Sequence, residues 1–180
     1  MNRKRSFWEG VSDAFSFSVM LLIAFMLFTL LLAGCSAQRP LPDIPVRTRS
    51  DVVVELNRYR DGLGLPMVTT DKMLTALAGI RSRNAWPYRF GPLAAGHSHF
   101  EQDVDASGSP GRWFGENLYS DNGQPAASEI IWGWDGSPGH RAMMRRRSTT
   151  ECSAAEAFDG KRAVIALVCM DRFNAEQVKW

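Results

Sequence analysis

Apolar residues recur at helical spacing in two segments of the first half of the chain. The first predicted helix begins with Ser50 as its N-cap and ends at Gly62. Its inward-facing residues are Val52, Val53, Leu56 and Tyr59. The second predicted helix opens at Thr70 and Asp71 and ends before Pro87. Its inward-facing residues are Met73, Leu74, Leu77, Ala78 and Ile80. The folded domain is therefore expected to begin near Ser50.

The helical pattern is lost over residues 87–124, which are rich in Gly, Ser, Pro, Asp and Asn. A long irregular region with one short strand is predicted there. Pro125 suits the first position of a third helix. The inward-facing residues of that helix are Ile130, Ile131 and Trp134. Ser137 is expected to cap a short fourth helix that begins at Pro138. This last helix presents His140, Met143 and Met144.

Two apolar stretches flank the turn signal Asp159-Gly160 and predict a C-terminal β-hairpin. A two-residue loop would place Cys152 opposite Leu167, whereas a four-residue loop, 159–162, places it opposite Cys169. Directly opposed Cβ atoms lie about 4.5–5.5 Å apart, which is close to disulfide reach. We therefore predict the four-residue loop and a Cys152–Cys169 disulfide.

Length and element order together predict one folded domain of the α+β class. The 180 residues are enough for one domain and additional segments. Helices precede strands without regular alternation, which predicts a three-layer α–β–α sandwich around a small antiparallel sheet. The net charge is only +2, so nothing favours a nucleic-acid partner. The basic run Arg145-Arg146-Arg147 is interpreted as a solvated helix end, with a phosphate-binding surface as the alternative.

The first 34 residues are predicted to be a signal peptide or membrane anchor. A basic start, Asn2-Arg3-Lys4-Arg5, precedes an uncharged run from Ser16 to Gly34, long enough to cross the roughly 30 Å hydrocarbon core. Its flanking charges orient the rest of the chain to the extracytoplasmic side. The run ends Leu32-Ala33-Gly34-Cys35, which resembles the lipobox of bacterial lipoproteins and implies lipidation of Cys35 in a bacterial cell envelope. An uncleaved transmembrane helix with an incidental cysteine is the alternative.

The next segment, 35–49, carries three prolines within six positions and is predicted to be an extended tether. The domain is then expected to span 50–174, and 175–180 to form a C-terminal tail. If Cys35 carries lipid, Cys152 and Cys169 remain as an even pair. An even number of cysteines is typical of an oxidising, extracytoplasmic compartment.

All three histidines lie in two short motifs, with a glutamate motif between them. Gly96-His97-Ser98-His99 comes first, Gly115-Glu116-Asn117 follows, and Ser137-Pro138-Gly139-His140-Arg141 is last. Imidazoles and a carboxylate that converge can bind a divalent metal or perform acid–base catalysis. Zn²⁺ or another divalent cation is therefore the candidate cofactor. Alternatively, Glu116 accepts backbone N–H groups and braces its own loop, and Asn117 binds the backbone.

Further residues join these motifs in a definite order. The full series is Leu56-Asn57-Arg58-Tyr59-Arg60, Gly64-Leu65-Pro66, Leu74 and Ala78, the His-Ser pair, Gly115-Glu116-Asn117-Leu118, Trp134, Ser137 to Arg141, and the terminal aromatic Phe173. This series resembles the CAP superfamily of cysteine-rich secretory, antigen 5 and pathogenesis-related 1 proteins, also called SCP domains. The resemblance covers about residues 50–174 and is greatest for the bacterial members.

The resemblance implies an α–β–α sandwich with an open cleft that holds two histidines and two acidic residues. Glu116 matches the first acid and His140 the second histidine, while the first histidine is either His97 or His99. The second acid of the family is often a Glu just before the last histidine. This chain has Ser137 at the nearest matching place, and Glu129 on the same predicted helix lies too far upstream.

The resemblance also implies a binding or interaction module, with lipids, sterols or other proteins as ligands. The alternative is a metal-dependent hydrolase, peptidase- or esterase-like, in which His97 or His99 and His140 bind the metal and Glu116 is the general base. The missing second acid, the lack of a recognisable nucleophile motif and the lack of a compact metal motif favour binding.

Overall fold

The computed structural model describes residues 43–91 and 93–172. The predicted signal or anchor segment, Cys35, most of the tether, Phe173 and the C-terminal tail lie outside these residues. Within the described part of the chain, no helix is both long and apolar enough to cross a membrane. The described residues form an α+β fold with five α-helices and a four-stranded antiparallel sheet.

The sheet has the strand order β1-β3-β4-β2. The strands are β1 (Val46–Thr48), β2 (Gly111–Asn122), β3 (Glu151–Phe158) and β4 (Arg162–Arg172). Strand β1 lies within the segment predicted as a tether, and its Val46 is opposite Ala157 of β3. Ile44 is also buried in the core. The expected start of the domain near Ser50 is therefore too late, because a short strand before the first helix completes the sheet.

The helices are α1 (Ser50–Asp61), α2 (Lys72–Ala85), α3 (Phe100–Ser107), α4 (Ala127–Asp135) and α5 (Pro138–Met144), with short 3₁₀ turns at Trp86–Tyr88 and Leu93–His97. Asp71 caps α2 as predicted, accepting the amides of Met73 and Leu74. Two other predicted starts are wrong. The N-cap of α1 is Arg49 rather than Ser50, and that of α4 is Ala126, which leaves Pro125 outside the helix.

Helices cover both faces of the sheet because alternate residues of the central strand β4 are apolar on both sides. One set of side chains packs with α1, α4 and α5, and the next set packs with α2. The first set is Ala163, Ile165, Leu167 and Cys169. The second set is Val164, Ala166, Val168 and Met170. A strand that is buried on both faces has a nearly continuous run of apolar residues in its sequence, and β4 has such a run.

The hairpin register is confirmed. Phe158 pairs with Ala163 across a four-residue loop, which places Cys152 directly opposite Cys169. The two cysteines form the predicted disulfide. The bond joins the two central strands at a buried position, on the face covered by α1, α4 and α5.

The irregular region predicted over residues 87–124 is wrong from residue 100 onward, because helix α3 and the long strand β2 lie there. Strand β2 has 12 residues and pairs with β4 along nearly its whole length. Its sequence contains two glycines and several polar residues, which are poor local signals for a strand. The strand forms because β4 presents a long apolar partner, so pairing and burial outweigh local preference.

The inward face of α2 also differs from the prediction. Leu74, Leu77 and Ala78 are buried, but Met73 and Ile80 are exposed. A charged residue, Arg81, is completely buried on this face instead. The buried face of α2 therefore includes Arg81 and excludes Met73 and Ile80, contrary to the prediction from its apolar residues.

A second arginine, Arg60 at the end of α1, is buried in a different way. Its Nε donates to the carbonyl of Pro66, and its Nη1 donates to the carbonyls of Met144 and Arg146 at 2.7 and 3.1 Å. Burial lowers the pKa of Arg60. The carbonyls of Met144 and Arg146 lie at the C-terminal end of α5, where main-chain acceptors lack partners within the helix and carry partial negative charge. Arg60 therefore fastens α5 to α1.

Candidate functional site

A buried arginine, Arg81 of α2, organises the candidate site. Its Nε and Nη2 donate to the two carboxylate oxygens of Glu116 at 2.6 and 3.1 Å. Nη1 donates to Asp103 of α3 at 2.6 Å. The remaining N–H groups donate to the carbonyls of Gly96 and Ser98 at 2.6 and 3.1 Å. All five donors of the guanidinium are therefore used, and the arginine ties α2, α3, β2 and the histidine motif together.

The charges of this cluster explain why the arginine tolerates burial. Burial alone would lower the pKa of Arg81, but the hydrogen bonds and charges of Glu116 and Asp103 raise it above its ordinary value. The pairing with Glu116 is bidentate, the geometry that suits a guanidinium and a carboxylate best. Glu116 itself is buried on strand β2, on the same face as Val168 and α2.

The structure brings His97 to this carboxylate. His97 Nδ1 lies 2.8 Å from Glu116 Oε1. The carboxylate oxygens paired with Arg81 act as acceptors, so Nδ1 carries the proton and donates it. In the neutral ring the lone pair then lies on Nε2. Glu116 thereby fixes the tautomer of His97 and holds the half-exposed ring in one orientation.

His140 approaches His97 from the other side of the sheet. The 3₁₀ turn that ends at His97 packs on Leu118 and Ala85, on the face of α2, whereas α5 packs on the opposite face. The two histidine rings meet around the edge strand β2, with their centroids 6.2 Å apart. Burial, followed by the nearby charge of His97, lowers the pKa of His140. The ring is therefore neutral near pH 7.

The position of His140 is set through its backbone. Buried Asn117 donates from Nδ2 to the carbonyl of His140 at 3.1 Å, which confirms that Asn117 binds the backbone. Asn117 and Glu116 are neighbours on β2 and therefore point to opposite faces of the sheet. One strand thus positions both histidines, His97 through Glu116 and His140 through Asn117.

His99 lies elsewhere in the structure. It occupies the N-cap position of α3 with φ of 63°, and its exposed ring bonds to Gln102 Oε1 at 2.6 Å. No bond joins it to Glu116 in the described part of the chain. Of the two alternatives that the sequence left open, His97 is therefore the histidine that the fold places beside Glu116 and His140.

The alternative prediction, in which Glu116 accepts backbone N–H groups and braces its own loop, is wrong. It lies within strand β2, and its carboxylate accepts from two side chains, Arg81 and His97. A second acid, Asp103, is present in the cluster but binds Arg81 and Asn84. Glu129 instead accepts the amide of Ala126 at the start of α4.

The residues present fit a chelating metal site poorly. Within residues 43–91 and 93–172, no group of three or more His, Cys, Asp or Glu side chains is arranged to hold a metal ion. Both oxygens of Glu116 are already engaged, and the guanidinium of Arg81 at 2.6 Å opposes a second cation there. The cluster therefore offers a metal chiefly the imidazole nitrogens of His97 and His140.

Sequence reasoning missed Arg81 and Asp103. A signal for Arg81 exists, because it continues the spacing of Leu74, Ala78 and Ala85 along one helical face. An arginine on the buried face of a helix needs a carboxylate partner, so its position alone makes it a candidate for a buried ion pair. No comparable local signal marks Asp103, because its helix buries none of its residues fully.

No protein-family model matches the chain, and no curated protein matches it by sequence. Among solved structures, it is similar to an outer surface protein from Borrelia burgdorferi, with a TM-score of 0.55 and 15% identity over 72% of this chain and 100% of that one. It is also similar to a cysteine-rich secretory protein from Staphylococcus aureus, with a TM-score of 0.51 and 16% identity over 75% of this chain and 42% of that one. The chain thus spans less than half of the Staphylococcus protein, and at these identities the likeness shows the fold.

Proposed function

We propose that this chain, which has the fold of a cysteine-rich secretory protein, is a CAP-type binding module of a bacterial cell envelope. Its N-terminal segment tethers it to the membrane on the extracytoplasmic side, and its ligand binds at the surface that His97 and His140 form. The sequence supports the tether through the apolar run, the lipobox-like Leu32-Ala33-Gly34-Cys35 and the proline-rich segment that follows. The Cys152–Cys169 disulfide suits an oxidising compartment.

One observation carries the choice of binding over catalysis. Both oxygens of Glu116 are engaged, at 2.6 and 3.1 Å by Arg81 and at 2.8 Å by His97. A general base must be free to take a proton from water or substrate. A carboxylate held by a guanidinium is a poor proton acceptor, so Glu116 acts as a positioning residue for His97.

The two rings offer polar contacts to a ligand beside an aromatic side chain. In its neutral form His97 presents a nitrogen lone pair, and His140 presents a neutral ring that can donate or accept. Trp113, which is partly exposed, lies beside Gly115 on the neighbouring surface, next to the buried Met143. A lipid, a sterol or a protein segment with one hydroxyl or carbonyl group suits such a mixture, because ligand sites combine apolar walls with a few polar groups.

The test is binding of candidate lipids, sterols and envelope proteins by the full-length chain in detergent, compared with alanine variants. His97→Ala removes the ring held by Glu116, and His99→Ala is the matched control two residues away. The proposal expects weaker binding for His97→Ala and His140→Ala and unchanged binding for His99→Ala. Binding that is insensitive to both cleft variants would contradict it.

A metal-dependent hydrolase remains the second candidate, and one specific feature favours it. A carboxylate that accepts the Nδ1 proton of a histidine commonly prepares Nε2 as a metal ligand. His97 and Glu116 have this arrangement, and the neutral ring of His140 lies 6.2 Å from that of His97, centre to centre. In that case Glu116 orients the metal-binding ring of His97 and is not the general base. Two results would establish this candidate over the binding module. The protein would bind a metal that is lost in both His97→Ala and His140→Ala, and it would hydrolyse a peptide or an ester.

A further inference from the structure

We propose that a cluster of arginines and aromatic rings beside the start of the domain rests on anionic membrane lipid. The cluster, the Phe90 patch, consists of Trp86, Arg89, Phe90 and Arg162. This inference rests on the membrane tether proposed above and adds to it an orientation of the domain, with one end of the sheet facing the bilayer.

The geometry of the patch is that of an aromatic ring fixed between cations. The Arg89 guanidinium carbon lies 4.3 Å from the ring centre of Phe90 and 4.6 Å from that of Trp86. The Arg162 guanidinium carbon lies 3.8 Å from the ring centre of Phe90. Trp86 is buried and anchors the stack, whereas 64% of Phe90 is exposed. The cation–π contacts therefore hold an apolar ring at the surface in place of burying it.

The patch lies where the chain enters the domain. Ile44 packs in one core cluster with Trp86, and its carbonyl accepts from Arg83 Nε at 3.3 Å. Only residues 36–42 separate Cys35 from Asp43. Eight steps of extended chain span at most about 29 Å. A lipid on Cys35 would therefore keep this end of the domain close to the membrane surface.

The chemistry of the patch matches the boundary layer of an anionic bilayer. Aromatic rings prefer the level of the headgroups, and arginine and lysine are drawn to anionic lipid. Lys161 is exposed in the turn beside Arg162 and adds a further cation. The acid of that turn, Asp159, accepts the amides of Lys161 and Arg162, both at 2.9 Å, and the charges of Arg89 and Arg162 help to lower its pKa, so it offsets one of the three positive charges. An exposed ring that carries two arginines, with a lysine in the adjoining turn and one nearby carboxylate, leaves an excess of positive charge and is suited to anionic headgroups more than to a neutral surface.

The experiment places an environment-sensitive fluorophore at single cysteines in the full-length chain. Gly91→Cys puts the label beside the patch, where an added side chain meets no neighbour within 4 Å. Met67→Cys is the control, because it is exposed and lies near Thr69, which bridges to the far end of β3 at Glu151. Cys152 and Cys169 are protected by their disulfide, and the chain without an added cysteine gives the labelling background.

The labelled chain is reconstituted into vesicles of phosphatidylcholine with or without phosphatidylglycerol, both containing a lipid-borne quencher. We expect the label at 91 to be quenched severalfold more than the label at 67, and only in the phosphatidylglycerol vesicles. Raising the salt concentration, or adding Phe90→Ala and Arg162→Gln to the labelled chain, should remove the difference, because the attraction is screened or deleted.

Two failures are distinguishable. If the chain floats with the vesicles but positions 91 and 67 are quenched equally, the lipid contact of the patch is refuted while the membrane tether is supported. A protein partner is then the alternative occupant of the patch. If the chain does not float with vesicles at all, the tether is refuted and this inference falls with it.

Discussion

Arg81 and Glu116 form a bidentate ion pair in the interior, with Nε and Oε2 2.6 Å apart and both side chains shielded from solvent. Replacing Arg81 with Met should lower the free energy of unfolding by about 3–5 kcal/mol, because Glu116 and Asp103 would remain buried without their cation. Urea unfolding monitored by tryptophan fluorescence measures the change.

Arg58→Met is the matched control for this substitution. Arg58 pairs with Glu55 at 2.8 Å on the surface of α1, with 73% of its side chain exposed. Removing such a pair should cost less than about 1 kcal/mol. Equal losses for the two variants would show that the Arg81 cluster contributes no more than a surface ion pair.

The disulfide is expected to supply a separate share of the stability. Cys152 and Cys169 close a loop with a sequence separation of 17. Loop-closure entropy for that length predicts a loss of about 3 kcal/mol for Cys152→Ala/Cys169→Ala relative to the oxidised protein. Parallel unfolding of the oxidised protein and the double variant measures it. Two thiols that react with maleimide in the unreduced, unfolded protein would contradict the bond itself.

Gly115 is expected to be intolerant of a side chain. An added Cβ would lie 2.5 Å from the ring of Trp113 and 3.1 Å from Met143. The Gly115→Ala substitution should therefore destabilise the protein by about 1–3 kcal/mol through overpacking. Thermal unfolding gives the comparison with Gly139→Ala in α5, where no atom lies within 4 Å of the added Cβ. There alanine should be neutral or stabilise by up to about 1 kcal/mol, and the opposite ranking would refute the packing argument.

The pH dependence of stability should carry a contribution from His140. Its pKa in the folded protein lies below the ordinary value of 6.5, first through burial and then through the charge of His97. Between these two values the unfolded state binds more protons, so stability increases with pH. The contribution is complete above pH 6.5 and is lost as the pH falls through the window to the folded pKa.

Two measurements check this sign. The ring resonances of His140 should titrate below pH 6.5 in the folded protein, and His140→Gln should flatten the pH dependence of the unfolding free energy in that window. A titration midpoint above the ordinary value would show that the environment stabilises the imidazolium, contrary to the expected effect of burial.

The parts of the fold that follow from local rules were predictable. The turn at Asp159-Gly160 and the spacing of the two cysteines fix the hairpin register, because only one loop length places Cys152 opposite Cys169. Asp71 as the cap of α2 follows from its side chain and position alone. The CAP-type order of motifs likewise pointed to the fold that the structure shares with the cysteine-rich secretory protein from Staphylococcus aureus.

The parts that depend on distant partners were not predictable in the same way. Strand β2 is read as irregular because its own residues favour turns, and it becomes a strand only against β4. Arg81 is absent from the predicted core because its burial requires Glu116 and Asp103, which are 35 and 22 residues away in sequence. The choice of His97 over His99 similarly depends on the carboxylate of Glu116, which no spacing rule connects to either.

The helix that carries His140 is held at two points of its main chain. Asn117 binds the carbonyl of His140, and Arg60 binds the carbonyl of Met144. Carbonyl groups are the same in every amino acid. The outward-facing residues of α5 can therefore change freely without moving the imidazole, whereas a single change at Asn117 or Arg60, on other elements, would displace it. Variation in the exposed surface of α5 is thus separated from the orientation of the ring, so the exposed residues can diverge while the scaffold is retained.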